Sequence, residues 1–256
     1  MGIVRTADFV ECYRYAALTG NVQTLAGRGD DIIGTQYVNT RILSMVGPRD
    51  DDVLLDIGCG DGCLLRMAEG HVRERIGILP TNEERAKLQD AYPELRVLAG
   101  TAEELPVKSH TASLIVCNAV LLLLQSEERV CTVLKEIARV AQPGARIFIG
   151  EIPSTDEHSA FAHYRGSSVS GLLWHQLSRK GLRTFLGTGK SLFNSIIGRE
   201  TLLLNSSAIF HALPASFIAL AQKCGLQSAW HGKHFRKDKS GNVIESPFRY
   251  NYLFTA

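Results

Sequence analysis

The stretch Val53-Leu54-Leu55-Asp56-Ile57-Gly58-Cys59-Gly60-Asp61-Gly62-Cys63-Leu64 constrains the fold more than any other part of the chain. An apolar run carrying an acid near its end reads as a buried strand. Glycines at the alternate positions 58, 60 and 62 then lead into a helical pattern. Turning a strand into a helix within so few residues needs backbone conformations that glycine adopts at little cost. The missing Cβ also lets a ligand approach the main chain closely. The plain alternative is a tight turn that binds nothing, so the rest of the sequence has to decide.

From about residue 53 the chain alternates short apolar runs with helical periodicity, the rhythm of a parallel sheet with crossover helices. Strands are predicted at Val53–Ile57, Arg75–Leu79, Leu95–Leu98, Ser113–Asn118 and Ala145–Glu151, with helices at Cys63–Glu69, Asn82–Tyr92 and Glu127–Val140. Further on, Pro214–Cys224 reads as a helix. Leu226–His231 and Arg249–Thr255 read as two last strands joined by a polar loop over Gly232–Pro247, the final one antiparallel. Two regions fall outside the rhythm. Residues 1–48 read as a helical cap of two short helices, and residues 153–212 as a glycine-broken helical insert that covers the substrate. The expected organisation is therefore a cap over 1–48 and one α/β domain over 49–256.

Composition narrows the function classes. With 256 residues and a formal charge of +2, the chain suits one α/β domain and gives no general electrostatic reason to bind nucleic acid. The basic run Lys233–Lys239 is short and reads as a solvated loop. The longest apolar run, Leu114–Leu124, is interrupted by Asn118 and falls far short of the ~20 residues of a membrane span. The six cysteines form no CxxC pair and no zinc-type spacing, which suits free thiols in a cytoplasmic protein. Leu186-Gly187-Thr188-Gly189-Lys190-Ser191 imitates a phosphate-binding loop but has Thr184 where the pattern needs glycine.

Taken in order, the motifs resemble the class I methyltransferases that use S-adenosylmethionine (SAM), in particular their small-molecule branch. Asp56–Gly62 is similar to the first motif of that family, and Thr101-Ala102-Glu103-Glu104-Leu105-Pro106 to the segment beside the adenine. Leu114–Asn118 is similar to the fourth strand, and Ile137–Ile147 to the helix, Pro-Gly turn and fifth strand. The resemblance implies a Rossmann-like, mostly parallel seven-stranded sheet of order 3-2-1-4-5-7-6 with helices on both faces. It also implies SAM as cofactor, held by Asp56, Gly58, Cys59, Gly60, Gly62, Leu79, Pro80, Thr81, Thr101, Ala102, Glu103 and Asn118. No metal is implied. The chain departs from the family pattern at Leu79, where the family has an acid for the ribose hydroxyls, at Thr101 and at Ala112-Ser113. Thr81 or Asn82 is then expected to reach the ribose.

Methyl transfer from a sulfonium chiefly requires alignment and exclusion of water, but a hydroxyl acceptor also needs a base. The candidates are Glu151, His158 and His163, just after the fifth strand, with His175 and His211 next; Tyr13, Tyr15 and Tyr37 are candidates for the acceptor pocket. The ending Phe248–Phe254 is similar to that of methyltransferases of surface-polysaccharide pathways. The expectation is therefore O-methylation of a small metabolite or saccharide precursor, with no membrane span and with a homodimer or partner subunit left open. The alternative is a methyltransferase-like partner protein that no longer turns over.

Overall fold

A computed structural model describes residues 3–6, 8–27, 31–154, 202–205, 209–237 and 240–256. Most of the expected insert, including His158, His163, His175 and the Leu186–Ser191 turn, lies outside the described residues. In chain order the elements are β1 (Ile3–Thr6), α1 (Phe9–Thr19), a 3₁₀ turn (Val22–Ala26), α2 (Ile32–Val46), β2 (Val53–Ile57), α3 (Cys63–Met67) and β3 (Glu74–Leu79). Then follow α4 (Asn82–Ala91), β4 (Arg96–Ala99), β5 (Ala112–Asn118), a 3₁₀ turn (Leu121–Leu123), α5 (Glu127–Val140) and β6 (Ala141–Pro153). The chain closes with β7 (Leu202–Asn205), α6 (Pro214–Lys223), β8 (Gln227–Lys237) and β9 (Val243–Thr255).

The main sheet runs β4-β3-β2-β5-β6-β9-β8, which is 3-2-1-4-5-7-6 when its own seven strands are numbered in sequence. Its first five strands are parallel, and β9 joins β6 antiparallel, with Phe254 opposite Ile147. Every residue of β2 is buried because both faces of the sheet are covered. On one face Leu55, Ile57, Ile115 and Ile147 pack against Val130, Leu134 and Ile137 of α5 and Phe217 of α6. On the other, Leu54, Leu114, Val116 and Phe148 meet Val38, Ile42 and Val46 of α2, together with Leu65 and Leu88 from α3 and α4. The alternation in β9 does what its pattern implies. Tyr252 and Phe254 are buried, with the Phe217 ring 4.7 Å and 6.1 Å from theirs.

Two expectations need correction. The polar loop over Gly232–Pro247 is mostly a hairpin, with Lys233 opposite Tyr250 and Lys237 opposite Val243. Lys233 lies over the Tyr250 ring and His234 is buried, so the basic run belongs largely to a strand. The aliphatic stems of lysine and arginine can cover apolar surface, and charge alone therefore did not mark a loop. The N-terminal region also opens with a strand. Ile3–Thr6 pairs in parallel with Leu202–Asn205, a long-range partner that local periodicity does not reveal. Among the described residues no helix is long and apolar enough to cross a membrane.

Candidate functional site

A cavity opens at the carboxyl ends of β2, β3 and β5, where strand order reverses between neighbours. Its floor is the glycine loop. Gly58, Gly60 and Gly62 have φ of +75°, +55° and +69°, the left-handed region that side chains resist. The Gly58 and Cys59 amides both donate to the Ile78 carbonyl, at 2.9 and 3.1 Å, which ties the loop to the neighbouring strand. Asp61 turns inward and accepts from the Cys63 amide at 3.1 Å.

Most of the residues expected around the cofactor line this one cavity: Asp56, Gly58, Cys59, Gly60, Leu79, Pro80, Thr101, Ala102, Glu103 and Asn118. Gly62 and Thr81 do not. Gly62 starts α3, where a Cβ would come within 2.8 Å of Leu95 Cδ1. Thr81 caps α4: its hydroxyl accepts from the Glu84 amide at 3.3 Å and donates to Glu84 Oε2 at 2.7 Å. Asn82 is exposed and also stands outside the lining. The spacing of these residues did not show their tie to the helix start.

The roof comes from the N-terminal segment. Asp8, Phe9, Val10 and Tyr13 of the α1 region, Leu25 and Ala26 of the 3₁₀ turn, and Thr35 and Asn39 of α2 all face the cavity. Tyr15 and Tyr37 do not line it. Lys87 of α4 fastens the roof by donating to the carbonyls of Ala17 and Gly20. The helical periodicity of residues 1–48 gave no means of choosing these particular side chains.

The charges are lopsided. Among the described residues the lining holds the carboxyl groups of Asp8, Asp56, Asp61, Glu84 and Glu103 but only the Arg129 guanidinium as a cation. Arg129 grips Glu103 with two bonds of 2.8 and 2.5 Å and holds that carboxyl below its ordinary range. Burial pushes Asp56 up to about 7, with the nearby Asp61 adding to the effect, and no hydrogen bond offsets it. Burial likewise raises Glu84 to about 7 against its two bonds with Thr81. Carboxyl groups so placed favour a cationic or hydrogen-donating ligand.

Glu151 lies behind the cavity and is not part of its lining. Its φ is +64°, unusual for a side chain of this size, and Arg249 pairs with Oε2. The Asn118 amide donates to Oε1 at 3.3 Å, and the Glu151 amide donates to Asn251 Oδ1 at 3.1 Å. Asn118 does line the cavity, and its buried Oδ1 has no partner among the described residues. Among the described residues Glu151 reaches the cavity through its bond with Asn118. Glu151→Gln is expected to destabilise the fold by about 1–3 kcal/mol, because it removes the buried carboxylate charge that pairs with Arg249. Thermal denaturation checks this, and an unchanged midpoint would remove the structural role. His211 is exposed and absent from the lining.

A family model described as a methyltransferase domain matches residues 55–149. The match begins inside β2 and ends within β6, so it spans the glycine loop, the acidic lining and Asn118. The matched segment is thus similar to a methyltransferase domain, and the sheet order is that expected of the class I, Rossmann-like methyltransferase fold. No curated protein matches the sequence. Among solved structures, the methyltransferase domain resembles a SAM-dependent methyltransferase of Methanosarcina mazei at 18% identity, covering 84% of this chain and 96% of that one, with a TM-score of 0.55. It also resembles the N-methyltransferase NodS of Bradyrhizobium japonicum, solved with S-adenosylhomocysteine (SAH), at 12% identity, 97% and 98% coverage and a TM-score of 0.60. The [4+2]-cyclase SpnF is similar too, at 15% identity, 91% and 77% coverage and a TM-score of 0.57. These likenesses establish the fold.

SAM is the cofactor that the resemblance implies, and the residues present suit it. Asp56 offers a buried carboxylate that no donor among the described residues satisfies, the left-handed glycines keep side chains off the loop, and Ile78, Leu79 and Ala102 provide apolar wall. SAM carries an ammonium, a sulfonium and an apolar purine, which correspond to these features in kind.

Proposed function

We propose that this protein methylates a hydroxyl group of a small molecule, a metabolite or saccharide precursor, with SAM as the methyl donor. The observation that carries the reading is the acidic, glycine-floored cavity at the carboxyl ends of the parallel strands, with five carboxyl groups against one guanidinium. When bound, SAM supplies an electrophilic methyl group on a positively charged sulfur. Asp56 holds the ammonium, Thr101 accepts from the adenine amino group, and Asn118 forms part of the cavity wall at the end of β5. Phe9, Val10 and Tyr13 in the roof, with Leu123 and Leu124 below them, exclude water and favour an acceptor of small size. The proton of the acceptor hydroxyl goes to a base after β6, with His158 and His163 as the candidates. The ending Phe248–Phe254 supports the saccharide within this class. The six thiols, all free, suit a reducing cytoplasm.

Leu79 favours a second reading, a methyltransferase-like binding or partner protein with a degraded SAM site that does not transfer methyl groups. It is 2% exposed at the end of β3 and offers the ribose no acceptor. A screen of hydroxylated metabolites and sugar nucleotides, read as SAH formed from SAM, separates the two. Turnover with any oxygen acceptor supports the first reading. Weak or absent SAH binding, with no turnover on oxygen or nitrogen acceptors, supports the second.

A further inference from the structure

We propose that Glu84, in the first turn of α4, takes the place of the missing strand-end acid and receives the ribose hydroxyls of the bound nucleoside. This rests on the reading of the cavity as a SAM site and concerns one residue within it.

Glu84 is 1% exposed, yet it lines the same cavity as Leu79 and Pro80. Its Oε2 accepts from the Thr81 hydroxyl at 2.7 Å. The Thr81 backbone N–H also acts on this carboxyl, and its two oxygens together still offer acceptor lone pairs to a ligand. The alternatives on this side are spent or misplaced. Leu79 accepts nothing, Thr81 is committed to the helix cap, and Asn82 is outside the lining. Asp56 and Asp61 belong to the glycine loop, and Glu103 is gripped by Arg129.

A helix cap alone explains Glu84 poorly. A capping pair needs no burial, whereas burial raises this carboxyl in spite of the Thr81 donors, a cost that further donors would offset. Two neighbouring hydroxyls are such donors.

The test is calorimetry at pH 8 with SAH and its 2′,3′-dideoxy analogue, on the full chain and on Glu84→Gln. Glutamine still serves in a capping pair, so the fold should survive, with an apo melting temperature equal to or above that of the parent. The parent should bind SAH about ten- to a hundredfold more tightly than the dideoxy analogue, and the variant should lose most of that preference. Glu84→Asp, which keeps the charge and shortens the reach, should fall between them. Parent-like SAH affinity in both variants overturns the proposal, as does a preference for the diol that survives in Glu84→Gln. A parent that binds neither ligand fails the SAM reading itself.

Discussion

Replacing Gly60 by valine is expected to weaken SAH binding by roughly a hundredfold or more, since an αL side chain costs about 1–3 kcal/mol before any clash is added. The clash is specific. A Cβ on Gly60 would lie 3.0 Å from Ala26 Cα and 3.2 Å from the Leu25 carbonyl oxygen. From sequence, a branched side chain there would be expected to fill ligand space. In the structure it first meets the backbone of the roof, which has nowhere cheap to go. The roof must lift or the loop must deform, and both disturb the cavity. Gly70 provides the control. Its φ is +74° and a Cβ there meets nothing within 4 Å, so Gly70→Val carries the backbone strain without the collision. Calorimetry with circular dichroism on both variants separates the effects, and parent-like affinity in Gly60→Val would refute the cofactor's placement.

The second large effect concerns pH. Asp56 and Glu84 both titrate at about 7 in the free protein, raised by burial, and Asp61 pushes Asp56 further in the same direction. Below that pH they are neutral and cannot pair with an ammonium or accept strongly from hydroxyls. SAH affinity should therefore drop between pH 8 and pH 5.5, by roughly 10²–10³-fold when both groups are engaged, about tenfold per pH unit for each. The sign for stability is opposite. The folded state binds these two protons more tightly than the unfolded chain, so their contribution favours the fold at low pH and is lost as pH rises through about 7. Bound ligand withdraws that penalty. The rise in melting temperature produced by saturating SAH should then grow from pH 5.5 to pH 8. Taking the difference with and without ligand cancels groups remote from the cavity, such as the Asp52–Arg146 pair. A constant ligand-induced shift across this range would show that neither carboxyl group is engaged.

The sheet was legible because its strands are covered on both faces and read as unbroken apolar runs; β2 and α5 fall within the bounds that their patterns indicate. The hairpin of β8 and β9 was not. Gln227–His231 is exposed along the edge, and the strand continues through lysines and an arginine that hydropathy assigns to a loop. The glycine floor of the site was readable because positive φ demands a residue type that shows in the sequence. Glu84 was hidden for the converse reason. The pattern Thr81-Asn82-Glu83-Glu84 is fully accounted for by a helix start, and only burial against the cavity reveals a second task. Asp8, Phe9 and Val10 were hidden because periodicity gives a helix face but not what lies opposite it.

The division of the cavity into a glycine floor and a side-chain roof governs how such a protein diversifies. The floor is fixed by backbone geometry: Gly58, Gly60 and Gly62 cannot be exchanged singly without strain. The roof is built from side chains on a segment outside the sheet, and these can be replaced one at a time while the fold persists. The family match stops short of the roof altogether, beginning at residue 55. Lineages descended from a common ancestor should thus keep the floor while their roofs diverge, acquiring new acceptors without relearning the cofactor. Where floor and roof meet through main chain, at Gly60 against Leu25 and Ala26, that freedom ends, and a change on either side requires a compensating change on the other.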